Sequence, residues 1–417
     1  MRSSKKRPVL FSFTLLLCLL LSFSSSFSTA SATPQDQQQY PLPHNDARIQ
    51  QALDYLRTLQ NDDGGFSNPG EESSLSNTQW VIMALVAAGE DPHDWIKNGQ
   101  SPIDYVSANA KNLAGSTDYE RMILALSAAG ENPRAFAGRD FVTELKQTYL
   151  KENGQFSDFS YTTIWGILAL SAAEEDVSKS AAWLKQQQNA DGGFAWVPGE
   201  QSDFDDTAAV IEAFSAAGER PDSTVIREAL EYLHAGQNND GGFRYFGSSP
   251  SNTASDAWVI QALVACGQDP QGAAWTVNGT NPVDHLLSLQ QPDGSFYYTS
   301  YIKSNPGYMT VCALTALRGQ PHPIKPLPNV QPHESMETAP TTATTTPVAS
   351  TSAPTLTPPP TMPSPQPAAP TATMAAALTP ESPPESVDAT TVPGFEFLVC
   401  CSGLLIVAFT VLPRRNV

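Results

Sequence analysis

The sequence predicts an all-α fold, an α6/α6 toroid in which six helical hairpins close into one ring. Three observations predict it: a glycine-containing turn that recurs along the chain, an apolar run after each turn, and the lack of a polar run at either end of the array. The turn first reads Gln-Asn-Asp-Asp-Gly-Gly-Phe, and its copies occupy residues 60–66, 188–194 and 237–243, with weaker forms at 291–296 and 152–156.

The outer layer of the ring is predicted from the segments that precede these turns. Residues 52–59, for example, alternate apolar and polar side chains with a helical period. The glycines then end the helix, because glycine adopts the left-handed conformation that a helix C-terminus favours. The second outer helix, near residues 103–112, lacks the glycine turn.

The inner layer is predicted from runs that are apolar on nearly all faces, which indicates buried helices. An open array of repeats needs polar capping repeats at both ends, and the sixth run is about as apolar as the third. Closure into a ring with a central cavity follows. The six runs start near Trp80, Arg121, Trp165, Ala209, Trp258 and Met309.

The two ends of the chain differ in composition from the repeats, which we place at residues 45–322. Residues 1–32 combine a basic start, a leucine-rich run and small residues, which is typical of a signal peptide, with a membrane anchor as the alternative. Residues 329–392 are rich in Pro, Thr, Ser and Ala, which predicts a disordered stalk.

The last segment, residues 393–417, begins Pro-Gly-Phe, continues with an apolar run and ends near two arginines. It resembles the Pro-Gly-Phe sorting signal of archaeal surface proteins, which implies removal of the tail and attachment of a lipid. The alternative is an ordinary transmembrane anchor with the arginines inside. Either way we expect an exported protein held at the cell surface by its C-terminus.

Charge and cysteines exclude some classes of partner. The formal net charge of −19 argues against a nucleic-acid partner, since the phosphate backbone needs a basic surface. Within the repeats only Cys266 and Cys312 occur, and they are interpreted as buried thiols or as one disulfide. No sequence feature indicates a cofactor. A glycosylation sequon begins at Asn278.

The repeated turn on paired helices resembles that of the terpene cyclase and protein prenyltransferase barrel, over about residues 47–319. Residues 88–92 and 281–286 look most like its secreted branch, which includes microbial surface proteins and animal cobalamin carriers. The resemblance implies that the repeat's glutamine and aromatic residues brace the outer helices. The residues concerned are Gln60, Phe66, Gln188, Phe194, Trp196, Gln237 and Phe243.

An acidic motif raises the question of catalysis. Residues 203–208 match the Asp-x-Asp-Asp-Thr-Ala of squalene–hopene cyclases, and the resemblance implies that Asp205 is the acid, with Asp203 and Asp206 as its partners. Such an acid needs a raised pKa, which burial and neighbouring carboxylates supply. The alternatives are a helix cap, with Asp206 as the expected capping residue, and a cation site.

Zinc-dependent prenyl transfer is not expected. The family's zinc enzymes use an Asp-x-Cys pair and a distant histidine, whereas neither Cys266 nor Cys312 follows an aspartate at that spacing. None of the histidines of the region forms a zinc spacing with a cysteine. The histidines considered are His44, His93, His234, His285 and His322.

Three tryptophans define a candidate ligand site. Trp80, Trp165 and Trp258 share one repeat position, and Arg121 takes that position in the second repeat. We expect them on one rim of the cavity, where aromatic walls hold an apolar or planar ligand. The alternative is packing between neighbouring helices.

Two functions remain after the sequence analysis. The favoured one is a binding or structural module at the cell surface, for a small molecule, peptide or glycan. The alternative is a class II terpene cyclase-like enzyme that uses the aspartate motif. The predicted fold is compatible with both.

Overall fold

The computed structural model describes residues 39–328. The predicted signal peptide, stalk and C-terminal segment lie outside the described residues. The described part is all-α, as predicted, with twelve α-helices. They are α1 (Ala47–Leu59), α2 (Leu75–Ala88), α3 (Pro102–Ala108), α4 (Ser116–Ala129), α5 (Phe141–Tyr149), α6 (Ser160–Ala172), α7 (Ser178–Lys185), α8 (Phe204–Ala216), α9 (Thr224–Gly236), α10 (Thr253–Ala265), α11 (Pro282–Ser288) and α12 (Pro306–Leu317).

The even-numbered helices form the inner ring. Each contacts the next one along the chain, and α12 contacts α2, so the ring is closed as predicted. The odd-numbered helices pack outside it, each mainly against the inner helix that precedes it. The first outer helix, α1, therefore packs more extensively on α12 than on its own neighbour α2. The first outer helix thus packs on the last inner helix, although in the sequence it precedes the first inner helix.

The repeated turn braces the outer layer, in agreement with the resemblance. The Gln60 amide donates to the carbonyl of Gly64 in its own turn, at 3.2 Å, and to the carbonyl of Trp95 near the next outer helix, at 2.7 Å. Gly64 has φ +84°, and a Cβ at that position would lie 2.4 Å from the carbonyl oxygen of Ser101. The site therefore needs glycine for its conformation and for the close approach of the next helix.

The phenylalanine of each turn enters the core between the layers. Phe66 is fully buried, and its backbone N–H donates to the Thr78 hydroxyl of α2 at 2.9 Å. The same bond links the other turns to a residue in the first half of their inner helices. Its acceptors there are Thr163, Thr207, Asp256 and Thr310. This bond sets a common register for these inner helices.

Two further observations concern features considered in the sequence analysis. Cys266 and Cys312 are both buried and are not joined by a disulfide, so the disulfide alternative is wrong. Asn278, which begins the glycosylation sequon, is exposed at a tight turn.

Between residues 39 and 328, no helix combines the length and hydrophobicity needed to cross a bilayer.

Candidate functional site

The three aligned tryptophans meet inside the barrel. Each tryptophan lies two residues after the inner-helix residue that accepts the backbone N–H of the turn phenylalanine. Those acceptors are Thr78, Thr163 and Asp256. The three tryptophans, Trp80, Trp165 and Trp258, therefore lie at one level of the ring. Their ring centroids are 5.3 to 6.3 Å apart, and their planes are nearly perpendicular to one another. All three side chains are buried. We call these three residues the tryptophan cage.

A histidine from beyond the last helix packs against all three rings of the cage. The imidazole centroid of His322 lies 5.5 to 6.0 Å from the centroid of each tryptophan. The chain reaches this position because it turns back after α12, where the Gln320 carbonyl accepts a hydrogen bond from the Gln261 amide at 2.9 Å. His322 and Ile324 are both buried. The segment 320–324 therefore enters the barrel and fills its centre.

Glu212 of α8 holds the histidine in place. One oxygen, Oε2, accepts the backbone N–H of His322 at 2.5 Å and lies 3.3 Å from its Nδ1. The Gln261 amide nitrogen lies 3.1 Å from the same Nδ1. Glu212 is 0 % exposed. This polar contact is made across 110 residues of chain, and it is the main tie between the segment and the inner ring.

The space beside His322, between α2, α10 and α12, has almost no free volume. The space between Trp80, Trp258, His322 and the side chains around them is about 10 Å³. That is about the least volume that a single water molecule needs. The central cavity expected from the sequence is therefore filled by the protein's own side chains.

Arg121 does not join the cage. Its guanidinium donates to Asp118 at 2.6 Å and to the Gln79 side chain at 3.4 Å. Both partners lie on α2 or α4. Of the four predicted ligand-binding residues, the structure thus brings the three tryptophans together and leaves the arginine in an ion pair beside them.

The aspartate motif lies at the start of α8. Asp203 is the N-cap, and its carboxylate accepts the backbone N–H of Asp206 at 2.8 Å. The expectation that Asp206 would be the cap is therefore wrong, since the helix starts at Phe204. Helix periodicity places Asp205 on the same face as Glu212, two turns earlier. Asp205 thus lies on the barrel side of α8, nearer the N-terminal end.

Burial dominates the electrostatics of the motif. It raises the pKa of Asp205 to about 7; the Ser255 hydroxyl partly offsets this rise, and Asp206 and Asp256 add to it. Burial also raises the pKa of Asp206 to about 6 and that of Asp203 well above its usual range. Asp205 is 7 % exposed, and its Oδ1 has no hydrogen-bond partner among the described residues. Its carboxyl group is thus poised to hold a proton near neutral pH.

An aromatic cluster lies beside the motif. We call the first turns of α6, α8 and α10 the mouth of the barrel. Here the rings of Phe159, Tyr161 and Trp196 are nearly parallel, with centroids 5.3 to 6.0 Å apart. The Trp196 carbonyl accepts the N–H of Ser160 at 2.8 Å, which ties this turn to the start of α6. Trp196 therefore contacts the start of inner helix α6, whereas the resemblance implied a contact with the outer helices.

A buried acid–base pair links α10 to the outer layer. Asp256 takes the position that threonine has in four other repeats; it accepts the N–H of Phe243 at 2.6 Å and lies 2.6 Å from His285 Nδ1. Burial alone would lower the pKa of His285, but the Asp256 and Asp240 carboxylates more than offset this and raise it. The sequence analysis did not identify this pair, although an aspartate at a threonine position was a visible signal.

The sequence analysis also missed the residues that fill the barrel. His322 was considered only as a zinc ligand, and Glu212 and Gln261 were treated as part of apolar runs. A visible signal existed, because a glutamate and a glutamine interrupt the inner runs of α8 and α10. Buried polar side chains of that kind need partners.

A closed ring of inner helices with outer helices packed around it defines an α/α-toroid protein. The prenyltransferase alpha-alpha toroid domain family matches residues 37–225 and 210–319, and the chain belongs to this family.

One curated protein is similar to part of the chain. A squalene–hopene cyclase of Bradyrhizobium diazoefficiens is 32% identical over 90 residues, which cover 19% of this chain and 13% of that protein. The chain therefore aligns with only a small part of that relative's length.

Two solved structures are similar to this chain to different degrees. One is a variant of the type II terpene cyclase MstE from Scytonema with geranylgeranyl dihydroxybenzoate bound; it is 16% identical, the alignment covers 65% of this chain and 96% of that one, and the TM-score is 0.50. The other is a glycosidase variant in complex with glucose, 11% identical with 65% and 96% covered and a TM-score of 0.46. At such identities the likeness is one of fold alone.

Proposed function

We propose that this protein is a binding module of the toroid family and that its barrel is not a cyclase active site. The single observation that carries this proposal is the filled centre of the ring. Three tryptophans and His322 pack against one another inside the ring, where a central cavity was expected.

The volume decides between the two functions. A pocket that encloses a ligand of ordinary size has roughly 300–1,000 Å³. The space at the centre is about 10 Å³, so a polyprenyl chain does not fit there without removal of the 320–324 segment. Binding at the mouth requires no such rearrangement.

The sequence supports display of this module at the cell surface. The signal-like residues 1–32, the stalk-like residues 329–392 and the tail at 393–417 together describe an exported domain on a tether. We propose that the membrane is a partner through the tail and that the ligand is a small molecule, a peptide or a glycan.

Native mass spectrometry of protein purified from its own source tests the binding function. A bound species of defined mass is expected, and it should be lost on denaturation. Repeated preparations without any bound species, together with turnover of a polyprenyl substrate, would refute the binding proposal.

One observation favours a cyclase-like enzyme as the second candidate. Asp205 combines a pKa of about 7 with an unpartnered carboxyl oxygen, as a general acid requires. If this candidate is correct, wild type converts a squalene-like or other polyprenyl substrate and Asp205→Asn does not, because an amide cannot deliver the proton. The Asp222→Asn variant is the matched control, since Asp222 is an exposed aspartate away from the motif.

A further inference from the structure

A small pocket lies at the seam of the ring, where α12 meets α2. We call it the seam pocket. It belongs to the same end of the barrel as the mouth, because its walls come from the first turns of α2 and α12 and from the turn that follows α1. Its free volume is about 10 Å³, roughly the room that one water molecule takes. The residues that line it include Leu59, Phe66, Asn68, Asn77, Gly307 and Val311.

The seam pocket has an apolar floor and a polar rim. Leu59, Phe66 and Val311 are all buried, so they form the floor. Asn68 and Asn77 are half-buried and form the rim. Among the described residues, none that lines the pocket carries a charge. A water molecule needs two to four polar partners, which the floor does not supply. The pocket therefore suits a small apolar group that is attached to a neutral polar one.

Glycine at position 307 keeps the pocket open. Gly307 lies in the first turn of α12 and does not have the positive φ that would require glycine. Glycine also destabilises a helix relative to alanine. A Cβ at this position would lie 3.0 Å from Leu59 Cδ1 and 3.8 Å from Asn68 Oδ1, so an alanine would project between two of the lining side chains. Backbone conformation and helix stability do not explain this glycine, whereas an open pocket does.

The rim offers hydrogen-bonding groups beside the floor. The side-chain amide of Asn68 donates to Glu71 Oε2 at 3.2 Å. The other end of this carboxamide, Oδ1, is the one that lies near Gly307, and it can accept a hydrogen bond from a ligand. The carboxamide of Asn77, in the first turn of α2, adds a donor. A ligand group that combines a methyl, an N–H and a carbonyl matches these features.

An exposed aromatic side chain precedes the pocket in the chain. Tyr301 is 72 % exposed at the tight turn 299–302, in the loop that leads to Asn305, which also lines the pocket. A pyranose ring can pack its C–H face on the face of an aromatic ring, while its hydroxyl groups remain in water. The exposed tyrosine therefore favours a sugar over a peptide as the carrier of the small group.

We propose that the seam pocket binds the acetamido group of an N-acetylated sugar. The methyl group enters the pocket beside Gly307, the amide N–H donates to Asn68 Oδ1, and the carbonyl accepts a hydrogen bond from Asn77. Tyr301 supports the sugar ring. This inference rests on the proposed binding function and narrows its ligand to a glycan that carries N-acetyl groups.

The first experiment measures the binding of two soluble tetrasaccharides to the full chain by calorimetry. Chitotetraose and cellotetraose have the same β-1,4-linked backbone, but only chitotetraose carries acetamido groups. We expect chitotetraose to bind about tenfold or more tighter, because it adds a buried methyl group and two hydrogen bonds. Saturation-transfer NMR should give its strongest signal at an acetyl methyl. Equal affinities, or no binding of chitotetraose, would overturn the proposal.

The second experiment fills the pocket with Gly307→Ala. This variant should keep the melting temperature of wild type, and its affinity for chitotetraose should fall to that for cellotetraose. Gly115→Ala is the matched control, since Gly115 caps α4 at the same end of the barrel and a Cβ there would meet no atom within 4 Å. Undiminished binding of chitotetraose to a folded Gly307→Ala protein would rule out the seam pocket. If Gly307→Ala does not fold, the methyl signal in wild type decides, and its absence counts against the pocket.

N-acetylalanine methylamide tests a peptide as the alternative ligand, because it carries an acetamido group without a sugar. An affinity equal to that of chitotetraose would assign the pocket to a peptide and overturn the sugar. Failure of the proposed function is a separate result. A different bound species in native mass spectrometry, together with no binding of chitotetraose, would refute the seam pocket and leave the binding module intact.

Discussion

The side-chain amide of Gln290 donates a hydrogen bond to the backbone carbonyl of Arg48 at 2.8 Å, across 242 residues of chain. Gln290 directly precedes the last repeated turn and pairs with Phe296 as Gln60 pairs with Phe66, so it is the equivalent of Gln60. Arg48 lies in the first helix. The equivalent glutamines Gln60, Gln188 and Gln237 each make this bond to the next outer element in sequence. The last turn therefore contacts the first helix in the way that the other turns contact the next outer element. This hydrogen bond can form only when the ring is closed.

Replacing Gln290 by leucine should weaken the closure of the ring. The Arg48 carbonyl would lose its partner, and we expect a decrease of about 1–3 kcal/mol in the free energy of unfolding. Amide exchange in α1 should become faster, because α1 is tied to the ring by this contact and by its packing on α12. Gln188→Leu is the matched control and should leave exchange in α1 unchanged. Identical exchange of α1 in wild type and Gln290→Leu would contradict the assignment.

Asp203 should behave as a helix cap. Asp203→Ala is expected to lower the free energy of unfolding by about 0.5–2 kcal/mol, whereas Asp203→Asn should have little effect because asparagine caps as well as aspartate. The Asn252 side chain accepts the N–H of Ser255 in the same way at the start of α10, so Asn252→Ala should cost a similar amount. Denaturant unfolding measures both. A large loss in Asp203→Asn would mean that its charge matters beyond the cap.

The buried carboxyl of Asp205 predicts a pH dependence of stability. Its pKa is raised from 3.8 to about 7 in the folded protein, so the folded state binds the proton more tightly than the unfolded state. The free energy of unfolding should therefore rise as the pH falls from about 8 to about 5, by up to about 1.4 kcal/mol per pH unit for this group. Asp205→Asn should flatten the profile in that range. An unchanged profile in the variant would assign the pH dependence to other groups.

The Asp256–His285 pair contributes stability with a pH dependence of the same sign. The raised pKa of His285 means that the pair's contribution is present below the unfolded value of 6.5 and is lost as the pH rises through the folded value. Its contribution is separable from that of Asp205 by mutation. The measurement is the free energy of unfolding against pH for wild type and His285→Asn, each in an Asp205→Asn background. Identical curves for the two proteins would refute a contribution of the pair to the pH dependence.

Replacing Asp256 by alanine should lower the free energy of unfolding more than replacing it by threonine, the residue that four other repeats have at this position. Asp256→Ala leaves His285 and the N–H of Phe243 without their partner, and the expected loss is about 3–5 kcal/mol. Asp256→Thr keeps a hydroxyl for the Phe243 N–H, as Thr78 does for Phe66, and should cost clearly less. Thermal unfolding of the two variants decides. Equal losses would show that the bond to Phe243 contributes little.

The repeated elements could be predicted from the sequence because their signals are local. The glycine that follows five of the six outer helices, the apolar inner runs and the phenylalanine of the turn all act within a few residues of one another, and the structure has each of them in the expected layer. The alignment of Trp80, Trp165 and Trp258 likewise followed from repeat register alone. The capping residue of α8 was misplaced because helix boundaries depend on where the chain leaves its preceding turn, here at Asp203.

The sequence by itself determined the class of fold and the six-fold repeat, since periodicity and turn chemistry encode them directly. The bracing role of the turn residues was implied by the resemblance to a known family. Only the tertiary structure decided that the barrel is filled. His322 lies in a short Pro-rich segment without periodicity, and its partner Glu212 lies 110 residues earlier in a run that reads as apolar. Contacts over such distances leave no pattern in a single sequence, because they depend on which faces of six separate helices converge on one centre.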